Sequence, residues 1–549
     1  MSQQKNASAP KPTKPLTVRD AAFDILHTYG LTRMFANPGS TEITLLADLP
    51  ADLEFILALQ EGSVVGMATG HALATDHAAL VVVHTTAGLG NAVGAIATAR
   101  VNKAPLVIIV GQQDRRHLAT QPFLAGRLHG LLGDYPVWFN EPVTAQDVPA
   151  AIARAFHEAT THRGPAVVVV PMDDWATPYD LTHVLAAPDL VRSERLASPL
   201  ALAELATHID AAFNPVMVVG AGNATDAGWS AAVDLAEKLQ LPVYQESFGA
   251  RPGFPQDHHL FAGFLSSARS TLRGQLAGHD LILAVGAPVF RQYNFEPGAM
   301  YDEGATVLLL TDDTDEAHRS RASMVVIADP APALATLVDH VKLVSIPRSV
   351  IPPRRTAPVP PDASEPIRAS HVMALLGKLL PADAIVAEET PSSRPDMHEL
   401  MPARSPLGFV SAAMGGLGFG LPAAIGLRMG NPTRPVVAVL GDGSALYNVQ
   451  GLWSAGHYNV GTLFVILNNE RYAVMDRLAE RASSAPPAWP AFDTINFVNL
   501  ATSLGCESQR LSDYGTLAKA LTVAVAGLAT RTTPLVLIVD VEPELHFAP

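Results

Sequence analysis

The segment Gly441-Asp442-Gly443-Ser444, with Leu467-Asn468-Asn469 following after a largely apolar stretch, constrains this chain most. VVAVL (436–440) and LFVILN (463–468) are short β-rich runs, and NVQGLWSAGHYN lies between them. The pattern predicts strand, turn, crossover helix and parallel strand. A carboxylate then ends one buried strand and a side-chain amide the next. Hard oxygen ligands at neighbouring strand ends suit Mg²⁺, which takes one or two carboxylates together with a ligand's phosphates. Ligands of open α/β sheets gather at those carboxyl ends. Glycine lets a backbone approach a phosphate closely.

The same kind of run recurs along the chain. VVVHT (81–85), LVIIVG (106–111) and AVVVVP (166–171) come first. VMVVG (216–220), LILAVG (281–286) and TVLLLT (306–311) follow, then AIVAEE (384–389) and LVLIVDV (535–541). Near-continuous β-branched runs between helical patterns mean parallel strands covered on both faces. Two linkers divide them, AAPDLVRSERLAS (186–198) and IPRSVIPPRRTAPVPPDASEPI (346–367). The second has too much proline for a helix or a central strand. The expectation is three doubly wound parallel-sheet α/β domains at 16–190, 198–345 and 368–549, joined by the Pro-rich linker 346–367. Residues 1–15 are polar and Pro-rich and read as a disordered leader rather than a secretory signal.

Composition narrows the partners. The 37 Lys and Arg against 52 Asp and Glu give a net charge of −15, which argues against nucleic acid. No apolar run is long and charge-free enough to span a membrane. The single Cys506 forms no internal disulfide and fits a reducing cytoplasm.

Several motifs carry a family likeness: NPGSTE (37–42), LALQEGSVVGMATGHA (57–72), HTTAGLGNA (84–92) with VGQQ (110–113), GAPVFR (286–291) and AAMGGLGFGLPAAIG (412–426). With the GDGS segment they resemble the thiamine-diphosphate (ThDP) decarboxylase superfamily, most of all its benzoylformate decarboxylases. The resemblance covers nearly the whole chain after the leader. It implies a pyrimidine-binding, a central and a diphosphate-binding domain, with ThDP and Mg²⁺ as cofactors.

Residue by residue, it implies that Asp442, Asn469 and the carbonyl of Arg471 bind Mg²⁺. Glu61 would hydrogen-bond the aminopyrimidine ring from an apolar pocket and promote loss of the thiazolium proton. His84 would transfer protons, and Ser40 would touch the substrate carboxylate, with Asn37 and Gly39 shaping the loop. Leu417 would prop the cofactor into a V shape, and the Gly415 carbonyl would accept from its amino group. Ser444, Ser392 and Thr390 would contact the diphosphate, Gly441, Gly443 and Tyr472 would also bind the cofactor, and Met475 would contact the pyrimidine side or pocket wall. For Thr390 and Ser392, plain loop hydrogen bonding is the alternative.

The implied reaction is non-oxidative decarboxylation of a benzoylformate-like 2-oxo acid to an aldehyde, with carboligation to 2-hydroxy ketones as a side activity. Two stretches depart from the pattern. GAPVFRQYNFEPG has Tyr293 where the relatives carry a second histidine. A phenol titrates near pH ~10 and is a poor proton shuttle near neutrality. A carboligase or lyase of 2-hydroxy ketones is therefore the alternative. RYAVMDRLAERASSAPPAWPAF (471–492) has Leu478 where an aromatic pocket residue is expected. Arg477 or Arg481 either meets a second substrate carboxylate or lies on a solvated helix face. VVGAGNATDAG (218–228) offers a loose glycine pattern for a non-catalytic nucleotide-binding reading, without the third glycine at the right spacing. The family builds its sites between subunits, so a homodimer is the minimum and a tetramer usual.

Overall fold

The structure is a computed structural model that describes residues 15–183, 187–344, 350–362, 364–482 and 487–543. The leader, except Pro15, and parts of both linkers lie outside the described residues. Each apolar run named above forms a strand, and Ala79–Val83 and Leu106–Gln112 are buried along their whole length.

The strands assemble into three six-stranded sheets, parallel throughout. The first uses residues 33–171, the central one 215–327 and the third 385–540. Numbered along the chain within each sheet, the first and third both read 2-1-3-4-6-5, while the central one reads 6-5-4-1-2-3. The strands that the sequence pattern does not mark are mostly short edge strands, such as Glu54–Leu57, Val410–Ser411 and Glu507–Leu511. Strand Glu507–Leu511 is only partly buried and carries no continuous apolar run.

The first and third sheets share one hydrophobic cluster, whereas the central sheet has clusters of its own. Two helices join the outer sheets, Glu61–Thr75 and Gly420–Gly430. A Cβ at Gly70 would lie 2.0 Å from the Ala423 carbonyl oxygen, and one at Gly426 would lie 1.8 Å from that of Met67. Only bare backbone fits at this crossing. Among the described residues no helix is long and apolar enough to cross a membrane.

The expected crossover helix after GDGS is two short helices, Asp442–Tyr447 and Gly451–His457. Asn448 interrupts them, and its amide donates to the Gly418 carbonyl at 2.6 Å. The break ties this crossover to the glycine loop beside it.

Candidate active site

The carboxyl ends of the first sheet carry one cluster of polar side chains. Strand Arg33–Asn37 runs through Pro38 and Gly39 into a single 3-10 turn, Ser40–Glu42. Helix Glu61–Thr75 begins at Glu61, and the Gln60 side chain caps it by accepting from the Ser63 N–H at 3.1 Å. Glu61 is buried. The Asn37 amide donates to its Oε1 at 3.0 Å and the Asn91 amide to its Oε2 at 3.0 Å. The apolar pocket expected around Glu61 is thus a pair of side-chain amides, and Asn37 does more than shape its loop.

His84 follows strand Ala79–Val83 and precedes helix Thr85–Val101. Its Nδ1 lies 3.1 Å from Glu42 Oε2 and 2.9 Å from Thr41 Oγ1. The Thr41 hydroxyl donates to Glu42 Oε1, and the Gly39 N–H donates to Glu42 Oε2 at 2.7 Å. Ser40 stands exposed in the same turn.

The second cluster surrounds a cavity of about 1010 Å³ between the third and central sheets. Every cofactor- and metal-binding residue expected from the last third of the chain lines it, and so does Tyr293, which is 57 % exposed. Ser40, Glu61 and His84 do not line it. The candidate residues therefore form two groups within one chain.

Asp442 is buried at the end of strand Val436–Gly441. Its carboxylate accepts from the backbone N–H groups of Gly443 at 2.7 Å, Asn469 at 2.8 Å and Glu470 at 2.5 Å. Burial pushes the carboxyl up to about 6, although those three donors pull the other way. Asn469 Oδ1 accepts from the Arg471 N–H at 3.2 Å. The Thr390 N–H and hydroxyl both donate to Glu388, and Ser392 Oγ accepts from the Val474 N–H at 3.1 Å. A Cβ at Gly443 would strike the Tyr472 ring at 2.4 Å, so glycine is required there. Glu389 is buried and accepts from the N–H groups of Gly418 and Gly420. Burial raises its carboxyl to about 8.

The donor set fits the implied cofactors. A buried carboxylate beside an asparagine oxygen offers hard ligands to Mg²⁺. The cavity adds apolar surface at Leu417, Met475 and Leu478 beside these polar groups, as an organic diphosphate requires.

Three residues of the site escape sequence reasoning. Glu42 and Asn91 contact the predicted acid–base residues, and Arg394 lines the cavity. The Arg394 guanidinium lies 5.5 Å over the Phe248 ring, its Nη2 donates to Ser411 Oγ at 2.9 Å, and its Nε lies 3.6 Å from Glu388. Arg477 instead pairs with Glu480 at 2.9 Å, and neither it nor Arg481 lines the cavity. Leu478 does line it.

Residues 16–131, 202–337 and 392–539 match the N-terminal TPP binding domain, the central domain and the C-terminal TPP binding domain of the thiamine pyrophosphate enzymes. Benzoylformate decarboxylase of Pseudomonas aeruginosa is 38 % identical over 517 residues, covering 93 % of this chain and 97 % of that protein. A ThDP-dependent 4-hydroxybenzoylformate decarboxylase of Rhodococcus jostii RHA1 superposes with a TM-score of 0.91 at 33 % identity, covering 97 % of this chain and all of the other. The benzoylformate decarboxylase structure from Polynucleobacter necessarius gives 0.90 at 32 % identity, with the same coverage.

Proposed function

The chain belongs to the thiamine pyrophosphate enzymes and is a ThDP-dependent decarboxylase of a 2-oxo acid; from that premise we propose how its residues divide the work and what it takes as substrate. The carrying observation is the cavity in which Asp442, Asn469, Leu417 and Met475 meet.

Asp442, Asn469 and the Arg471 carbonyl hold Mg²⁺ there. Ser444, Thr390 and Ser392 would hold the diphosphate, Gly441, Gly443 and Tyr472 would complete the cofactor site, Leu417 and Met475 would support the ring system, and the Gly415 carbonyl would accept from the amino group. When bound, ThDP supplies a carbon nucleophile and an electron sink that allows CO₂ to leave. Glu61, held by the Asn37 and Asn91 amides, would give and take a proton at its carboxylate. Ser40 holds the substrate carboxylate by a neutral hydroxyl, which does not oppose loss of CO₂. His84 moves protons at Nε2.

Glu61 and His84 stand apart from the cavity in their own chain, so a second copy supplies them. The working unit is a homodimer or a tetramer built from dimers. We place it in the cytoplasm, on the lone Cys506.

The substrate is a benzoylformate-like 2-oxo acid. Glu388 already offsets the Arg394 charge, so Arg394 suits a neutral acceptor on the ring better than a second carboxylate. A ring hydroxyl is one such acceptor.

Tyr293 favours a second reading, in which carboligation to 2-hydroxy ketones competes with release of the aldehyde. Product analysis with ThDP and Mg²⁺ separates the two. Benzoylformate and its 4-hydroxy derivative should release CO₂ and free aldehyde, and Arg394→Ala should erase any preference for the hydroxylated ring. Hydroxy ketone formed or cleaved without CO₂ would move the assignment to carboligase or lyase.

A further inference from the structure

We infer that Glu42 is a positioning residue that holds His84 in one tautomer and leaves its Nε2 free to take the proton. The inference rests on the assignment of His84 as proton carrier.

Donor counting fixes the tautomer. A threonine hydroxyl has one proton to give. Thr41 gives it to Glu42 Oε1, so it can only accept from His84 Nδ1, 2.9 Å away. The Glu42 carboxylate is also acceptor-only toward Nδ1, at 3.1 Å. Both contacts demand Nδ1–H. Nε2 is then the bare nitrogen, able to accept a proton.

Two glycines make room for the pair. A Cβ on Gly111 would lie 1.6 Å from Glu42 Oε1. A Cβ on Gly39 would lie 2.3 Å from His84 Cγ and Nδ1. The carboxylate and the ring each fill a slot that any larger residue would close. Glu42 is 1 % exposed, so water does not screen the pair.

The charge has a task as well. His84 sits at the start of helix Thr85–Val101, where the helix dipole disfavours a cation. The first turn of that helix holds no acidic side chain. The facing strand Leu106–Gln112 presents Gly111 and the neutral Gln112. Both oxygens of Glu61 are instead engaged by Asn37 and Asn91. Among the described residues, Glu42 is the one titratable group recorded in contact with His84, and it offsets the dipole when the ring is protonated. Its effect on proton transfer runs through His84.

The test is a double-mutant cycle on the full-length holoenzyme with benzoylformate, or with whichever 2-oxo acid the product analysis shows to be turned over. His84→Ala should lower kcat by about 10²–10⁴-fold. Glu42→Gln keeps the shape and removes the charge. It should lower kcat about tenfold or more, with KM little changed, and move the His84 limb of the kcat pH profile to lower pH. Glu42→Asp restores the charge and should bring that limb back. In the His84→Ala background, Glu42→Gln should cost nothing further.

An unchanged limb, or the same loss in both backgrounds, overturns the inference. Unaffected turnover in His84→Ala overturns the assignment of His84 instead. If Glu42→Gln lacks the cofactor-dependent rise in melting temperature of the unmutated enzyme, Glu42→Asp carries the cycle. Its retracted carboxylate should slow the enzyme alone and add nothing to His84→Ala.

Discussion

In the first sheet, acids at the strand ends are held mainly by side chains; in the third, by main-chain N–H groups. Glu61 rests on the amides of Asn37 and Asn91, and Glu42 on Thr41, His84 and one N–H. Asp442 rests on the N–H groups of Gly443, Asn469 and Glu470, and Glu389 on those of Gly418 and Gly420. Both sheets have the strand order 2-1-3-4-6-5. In both, the third strand leads directly into a candidate site residue, His84 in one and Asp442 in the other. Topology therefore decides where ligands collect, and the kind of donor decides what the site can tolerate. Backbone donors are set by loop shape and survive most substitutions around them. Side-chain donors allow finer placement, but each can be lost in one step.

The largest expected effect tests the main-chain side. Asp442→Ala removes the acceptor rather than a donor, and kcat should fall about 10³-fold. ThDP with Mg²⁺ should then no longer raise the melting temperature, which a thermal scan with and without cofactor measures. A cofactor-induced rise that survives would place the metal elsewhere.

An intermediate effect tests the side-chain side. Asn91→Ala takes one donor from a buried carboxylate, worth about 1.5–3 kcal/mol for a charged hydrogen bond. Steady-state kinetics should show kcat lower by about tenfold or more, with the cofactor-induced rise in melting temperature intact. Full activity would mean that Glu61 does not depend on its amides.

The smallest effect concerns Glu389. Its carboxyl titrates near about 8 in the fold against an ordinary 4.5, so between those values the folded protein holds a proton that the unfolded chain has released. Its contribution is therefore full below 4.5 and is lost as pH rises toward 8. The melting temperature of the cofactor-free protein should include this decline, and Glu389→Gln should flatten the curve by a few degrees. Parallel curves for both proteins would show that the two glycine N–H groups keep Glu389 ionised.

The parts of this plan that are legible in the sequence are those written locally. Continuous runs such as AVVVV and LVLIV read as buried strands, and GDGS with LNN puts a carboxylate and a side-chain amide at neighbouring strand ends. Edge strands such as Glu507–Leu511 escape because they are half exposed and lack a long apolar run. Arg394 escapes for a different reason. It reaches the cavity by lying over Phe248, in the segment that follows strand Val243–Gln245 of the central sheet, far away in sequence. The helix Ala473–Ala482, with its charged residues, looks more eligible but buries only Ala473. Asn91 and Glu42 are ordinary residues whose importance comes from a partner that the fold brings near.

The helix crossing at Gly70 and Gly426 has a mechanical consequence. One helix starts at Glu61, and the other starts just after the loop that carries Leu417. Because backbone meets backbone with no room for a methyl group, these helices have no slack and must shift as one lever. In a dimer whose sites each take Glu61 from one chain and Leu417 from the other, that lever has an arm in both sites. A displacement that starts at one catalytic centre then reaches its twin through rigid contact.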